Sequence, residues 1–234
     1  MPDHTSKQFD NELESLRAHV LQMGGLVEKQ ISGAIEALST GNMELAEQVA
    51  SDDHRVNALE VTIDEDCTQI IARRQPAAAD LRMIMAIVKT ITDLERIGDE
   101  AEKIARMTKL IYAKDRLLAP RYPEITYVAG IAIDMLKRSL DAFARLDVAS
   151  AAQVVKQDRL VDEQFRGILR QLITFMMEDA RTISTSIEIL FIAKAIERIG
   201  DHAKNMAEYV IYLVKGKDVR HITAEEFERE TAPD

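Results

Sequence analysis

The 234-residue chain is 47% hydrophobic and 30% charged, enough for a core and a solvated surface, which excludes general disorder. Its net charge of −10, with no Lys/Arg cluster larger than pairs such as Arg73-Arg74, excludes the basic face that nucleic-acid binding needs. The one cysteine, Cys67, allows no internal disulfide, the stretch from Met1 to Glu14 is too polar for a signal peptide, and no apolar run approaches the ~20 residues of a membrane span; a cytoplasmic protein without membrane insertion is expected.

Trp is absent, Gly and Pro are scarce, and Ala, Glu, Leu, Ile, Met and Arg dominate, the vocabulary of helices. From about Thr5 to Leu38, Phe9, Leu13, Leu16, Val20, Met23, Val27, Ile31, Ala34 and Leu38 recur every three or four residues, the period of an amphipathic helix. Thr40-Gly41-Asn42 ends it with a residue suited to a left-handed turn. A second pattern runs from about Met43 to Arg74 and stops at Gln75-Pro76, where Pro76 suits the first turn of the next helix. A third runs from about Ala77 to Ala113. Ala119-Pro120-Arg121-Tyr122-Pro123 then breaks the chain, with two prolines marking a boundary between modules. Helices follow from about Glu124 to Leu146, Ala149 to Met177, and Ala180 to Val214, the last preceded by Glu178-Asp179 as a cap and ended by Gly216. Residues 217–234 are polar enough to read as a loose tail, and no segment carries a strand signal.

The second half repeats the first. Glu95-Arg96-Ile97-Gly98-Asp99 recurs as Glu197-Arg198-Ile199-Gly200-Asp201, 197 − 95 = 102 residues on. At an offset of 105, Ala46, Gln48, Val49, Asp53 and Val56 pair with Ala151, Gln153, Val154, Asp158 and Val161. One loop absorbs the difference of three. Short loops between helices of matched length force antiparallel neighbours. The expected fold is therefore all-α: two tandem pseudo-symmetric three-helix bundles, six long antiparallel helices in all, with modules at 1–117 and 124–216 and the tail at 217–234.

The repeated pentapeptide carries acids in a pattern. At about 100° per residue, Glu95 and Asp99 lie ~40° apart and Glu102 ~20° to the other side, continuing the apolar line of Ile84 and Val88, while Arg96, Glu100 and Lys103 point away. On the second helix Asp53, Asn57, Glu60 and Asp64 form another polar line beside Val56, Leu59 and Ile63. The second module has Glu197, Asp201, Asp158 and Asp162, but Phe165, Leu169 and Lys204 stand where the first has Glu60, Asp64 and Glu102. A solvated face alone also accounts for acidic lines, since like charges four residues apart cost only ~0.2–0.5 kcal/mol in an exposed helix. Against that, acids come from adjacent helices in both modules. Gly98 and Gly200 each forgo ~1 kcal/mol of helix propensity, which close approach of a neighbouring helix or a bound ion explains. Carboxylates converging from two helices form an oxygen-rich site for hard cations: Mg²⁺, Mn²⁺, Ca²⁺ or iron rather than a structural zinc. No His has Glu three positions before it, which disfavours a di-iron carboxylate enzyme. His202 and Asn205 are candidate accessory ligands, and Cys67 reads as a buried apolar residue rather than a nucleophile. Neither a Gly-rich phosphate loop, a Ser-His-Asp arrangement nor a Cys-x-x-Cys motif is present, so no enzymatic activity is expected.

Over about residues 5–221 the chain resembles the PhoU family, accessory proteins of the phosphate-specific transport system. The resemblance rests on Gln75-Pro76 with Asp80-Leu81-Arg82, on Asp93-Leu94-Glu95-Arg96-Ile97-Gly98-Asp99, on the run from Ile196 to Asn205, on the segment from Asp53 to Glu60, and on the ending from Gly216 to His221. It implies two pseudo-symmetric three-helix bundles. It also implies that Glu95, Asp99, Glu197 and Asp201 belong to Glu/Asp-x-x-x-Asp metal motifs, which Asp158 and Asp162 match on a neighbouring helix. Asp53 and Asn57 depart from that form at the second acid. Metals associated with the family are Mg²⁺, Mn²⁺ and clusters of iron or zinc. The implied function is negative regulation of phosphate uptake and of the starvation response. The implied partners are the ATPase subunit of the phosphate ABC transporter and a phosphate-sensing histidine kinase. Long amphipathic helices also suit a homodimer. The competing readings are a carboxylate-bridged metalloprotein and a metal-independent helical adaptor serving another phosphate transporter.

Overall fold

The computed structural model describes residues 7–114 and 123–232, which form seven α-helices and one 3-10 turn, with no strand among them. α1 spans Lys7–Thr40, α2 Met43–Arg74, α3 Ala78–Lys114, α4 Pro123–Arg145, α5 Val148–Glu178, α6 Ile183–Lys215 and α7 Ala224–Thr231. The break at Ala119-Pro120-Arg121-Tyr122 lies outside the described residues, and Pro123 opens α4.

The helices form where the apolar period demands. Every apolar position from Phe9 to Ala34 read on α1 is buried. The α1–α2 and α4–α5 hairpins repeat atom for atom in their capping. Asn42 Oδ1 accepts from Leu45 N at 3.0 Å, and Asp147 Oδ1 accepts from Ser150 N at 3.1 Å, 105 residues later. These side chains satisfy one of the free donors that open a helix. The turns ahead of them are left-handed, with φ of 68° at Gly41 and 56° at Leu146. Gly41 is needed twice over: a Cβ there would also meet the Tyr112 ring at 2.7 Å.

α1, α2 and α3 pack on one another, as do α4, α5 and α6. The units are joined by α3 against α6, the most extensive helix pairing in the molecule, and by α1 against α4. One continuous hydrophobic cluster therefore runs through both units.

Two expectations need correction. α6 begins at Ile183, after a 3-10 turn at Ala180–Thr182 that Asp179 caps by accepting from Arg181 N at 2.9 Å. The C-terminal stretch, read as loose, folds back: Val219 and Phe227 enter the core. Thr223 and Glu226 close a capping box on α7, and Lys217 Nζ reaches Glu230 Oε1 at 2.8 Å. Three apolar side chains, Val219, Phe227 and the partly buried Ile222, carry that docking among many polar ones, too few to raise a periodic signal.

Candidate functional site

In the first unit the acidic lines meet between α2 and α3, beneath α1. Gly98 makes the approach possible, because a Cβ there would lie 3.2 Å from Asp53 Oδ1 and 3.3 Å from Gln30 Oε1. Asp53 is held by two amides: Asn57 Nδ2 donates to Oδ2 at 3.1 Å, and Gln30 Nε2 reaches Oδ1 at 3.5 Å. Asn57 thus serves Asp53 rather than standing as an independent acid. Around them the carboxyls push one another up. Glu95 is raised by burial, then by Asp99, Glu60 and Asp53; Arg96 lowers it in part, its Nε 3.4 Å away. Asp99 is raised by burial and then by Asp53. Glu60 is raised by burial and then by Asp64 and Asp99. Repulsion of this kind is what a divalent cation relieves.

The second unit solves the same problem with its own ammonium groups. Asp158 is buried at 5% exposure, and Lys204 Nζ donates to its Oδ2 at 2.9 Å while Oδ1 has no partner. Lys194 Nζ holds both oxygens of Glu197, at 2.6 and 2.5 Å. Asp201 remains high, at about 6, through burial and then Glu197, Asp158 and Asp162. Gly200 lets α6 settle on Val161, which a Cβ would meet at 3.3 Å.

Thus Asp53, Glu60, Glu95 and Asp99 share one electrostatic neighbourhood, and Asp158, Asp162, Glu197 and Asp201 another. Among the described residues no three His, Cys, Asp or Glu side chains converge as a metal cage does. The donors are nevertheless hard oxygens, and the partnerless Asp158 Oδ1 and the raised carboxyls fit a cation of that kind.

His202 and Asn205 both reach across to α3. Nδ1 of His202 lies 2.6 Å from Asp93 Oδ1, and Asn205 Nδ2 donates to the same oxygen at 3.2 Å, so both tie α6 to α3. Glu100, which points away from the acidic line, is buried in that seam, 2.5 Å from Arg198 and 3.2 Å from Lys103. Lys89 caps the end of the seam over the rings of Tyr209 and Tyr212. The signal available in the sequence was the breadth of apolar positions on α3, too wide for a helix with one solvated face. Cys67 is buried, and burial pushes its thiol up to about 12, which removes it as a nucleophile.

Two three-helix units related by duplication, joined along their third helices and carrying matched acidic lines, define a class of helical-bundle protein. The chain belongs to the PhoU family: the PhoU domain model matches residues 20–108 and again 125–210. It is 50% identical over 220 residues to the phosphate-specific transport system accessory protein PhoU homolog of Pseudomonas aeruginosa, covering 94% of this chain and 90% of that one. It is 46% identical over 226 residues to the phosphate-specific transport system accessory protein PhoU of Escherichia coli K12, covering 97% and 93%. The crystal structure of PhoU from Pseudomonas aeruginosa superposes with a TM-score of 0.86 at 47% identity, covering 89% of this chain and all of that one. The phosphate transport system regulatory protein PhoU from Streptococcus pneumoniae gives a TM-score of 0.83 at 27% identity, covering 90% and 99%. No described helix is long and apolar enough to cross a membrane.

Proposed function

We propose that this protein is a cytoplasmic, non-catalytic accessory regulator of phosphate transport. It restrains phosphate uptake and the starvation response by linking the ATPase subunit of the phosphate ABC transporter to a phosphate-sensing histidine kinase, with a homodimer as the working form. The observation that carries this is near-full-length similarity to accessory proteins of the phosphate-specific transport system in several bacteria. Divalent cations bind at the acidic lines, through Asp53, Glu60, Glu95 and Asp99 in the first unit and Asp158, Asp162, Glu197 and Asp201 in the second. Such an ion supplies positive charge, which lowers the raised carboxyls and holds α2 against α3. In the second unit Lys204 already supplies part of that charge.

A starvation-response reporter in cells lacking this protein, grown in ample phosphate, tests the reading. The reporter turns on in the deletion strain and is silenced again by the wild-type chain. Asp99→Ala with Asp201→Ala folds, loses the rise in melting temperature that Mn²⁺ gives the wild type, and fails to silence the reporter. A silent reporter in the deletion strain removes the regulatory role. A double variant that keeps both the Mn²⁺ response and silencing removes these acids as the cation sites, whereas wild-type stability unchanged by chelator and by added Mn²⁺ leaves the metal-independent adaptor.

A further inference from the structure

The duplication allows the two units to be compared at Gly98 and Gly200. Core positions on α1 are mostly aliphatic, and Val27, Ile31 and Ala34 are fully buried. Gln30 sits among them at 6% exposure, with no partner for Oε1. Its Nε2 donates to Asp53 Oδ1 at 3.5 Å, the outer edge of hydrogen bonding, whereas Asn57 Nδ2 holds the other Asp53 oxygen at 3.1 Å. Holding Asp53 therefore does not account for the burial of Gln30. Gly98 shows where the amide oxygen points. A Cβ there would meet Asp53 Oδ1 at 3.2 Å and Gln30 Oε1 at 3.3 Å, so oxygens from two helices face the space that the glycine opens. At Gly200 the three nearest atoms are all carbons of Val161, the closest at 3.3 Å. At the 105-residue offset Gln30 falls on Met135, which is fully buried. The second unit thus fills with apolar side chains what the first lines with oxygens.

We propose, resting on the cation reading of the acidic lines, that Gln30 is a further ligand of the first unit's cation, supplying through Oε1 a neutral oxygen from α1 beside Asp53 Oδ1. A buried amide oxygen without a partner is costly, because it has given up water and gained nothing in return. A cation removes that cost, and side-chain amide carbonyls are ordinary ligands of hard cations beside carboxylates. An amide also suits this place better than another acid. Glu60, Glu95 and Asp99 are already raised by their acidic neighbours, and a neutral ligand adds an oxygen without adding to that repulsion. The groove of about 350 Å³ between α1 and α2 opens onto Gln30 and gives an ion a way in. The ion then ties α1, as well as α2 and α3, into one site. The second unit, with Met135 at the matching position and Lys204 on Asp158, has no counterpart of this ligand.

Mn²⁺ binding to the full chain, followed by the electron paramagnetic resonance of the free ion, tests it. Asp201→Ala is carried in every sample so that the first unit reports, and adding Asp99→Ala is expected to abolish the binding that remains. Gln30→Met, which installs the side chain of the second unit, is expected to weaken Mn²⁺ by about tenfold or more. Asn57→Ala loosens Asp53 without touching the oxygens at Gly98, and is expected to weaken it far less. In the unaltered chain, where no variant has to fold, Mg²⁺ is expected to shift the Gln30 carboxamide carbon in NMR spectra in step with saturation. Mn²⁺ affinity kept by Gln30→Met, an equal loss in Asn57→Ala, or a Gln30 carbon that Mg²⁺ leaves in place overturns the ligand role while the acidic site stands. Absence of any Mn²⁺ binding that Asp99→Ala removes overturns the cation reading, and the ligand role with it.

Discussion

At the scale of single residues, Glu208 shows what the second unit spends to keep a carboxyl inside. It lies on α6 at 6% exposure. Burial, helped by Asp218 and Asp158, raises it from the usual 4.5 to about 7 against the pull of Lys204 and Arg220. Between those two values the folded chain holds a proton that the unfolded chain has released, so stability falls as pH rises through that window and levels off above it. At about 1.4 kcal/mol per unit the loss is on the order of 3 kcal/mol. Glu208→Gln removes the ionisation and is expected to raise the melting temperature by several degrees at pH 8, with little effect near pH 4. Calorimetry at the two pH values checks this. An equal effect at both would mean that the amide repacks the site instead of sparing a buried charge.

At the scale of helices, glycine marks where neighbours touch. Gly24 on α1 faces Leu140 so closely that a Cβ would come within 2.6 Å of its methyl carbons, whereas Gly25 beside it, Gly130 on α4 and Gly167 on α5 have nothing within 4 Å. Alanine at each open position gains up to ~1 kcal/mol of helix propensity, and sites on different helices add. The triple variant Gly25→Ala, Gly130→Ala, Gly167→Ala is expected to gain ~2–3 kcal/mol in denaturant unfolding, while Gly24→Ala loses ~1–3 kcal/mol to overpacking. A Gly24 variant as stable as the triple would contradict the close α1–α4 contact. The helices themselves were legible in the sequence, because period and punctuation agree: Gly41, Gln75-Pro76 and Gly216 end elements where the structure ends them. α7 was not, although Thr223 with Glu226 spells its capping box. The acidic lines were legible as lines, since each lies on one helix. The Lys204–Asp158 and His202–Asp93 pairs depend on how helices meet, which a 3.6-residue period does not encode.

At the scale of the molecule, the question is whether two copies of one unit behave as two domains or one. The α3–α6 contact exceeds every pairing inside either unit, and the core is continuous across it. Separating the units would expose that apolar face and break the pairs that Asp93 makes with His202 and Asn205 and that Glu100 makes with Arg198. Exposing a contact of that extent disfavours either unit alone, and the chain is expected to melt in one transition whose calorimetric and van't Hoff enthalpies agree. Asp93→Ala with Glu100→Ala takes away the acceptors that His202, Asn205 and Arg198 engage across the seam, at the cost of one pair inside α3, Glu100 with Lys103. That variant is expected to broaden the transition and to drop the van't Hoff enthalpy below the calorimetric value, as the halves begin to unfold separately. Two resolved transitions in the wild type would show the opposite, that the seam holds together units already stable by themselves.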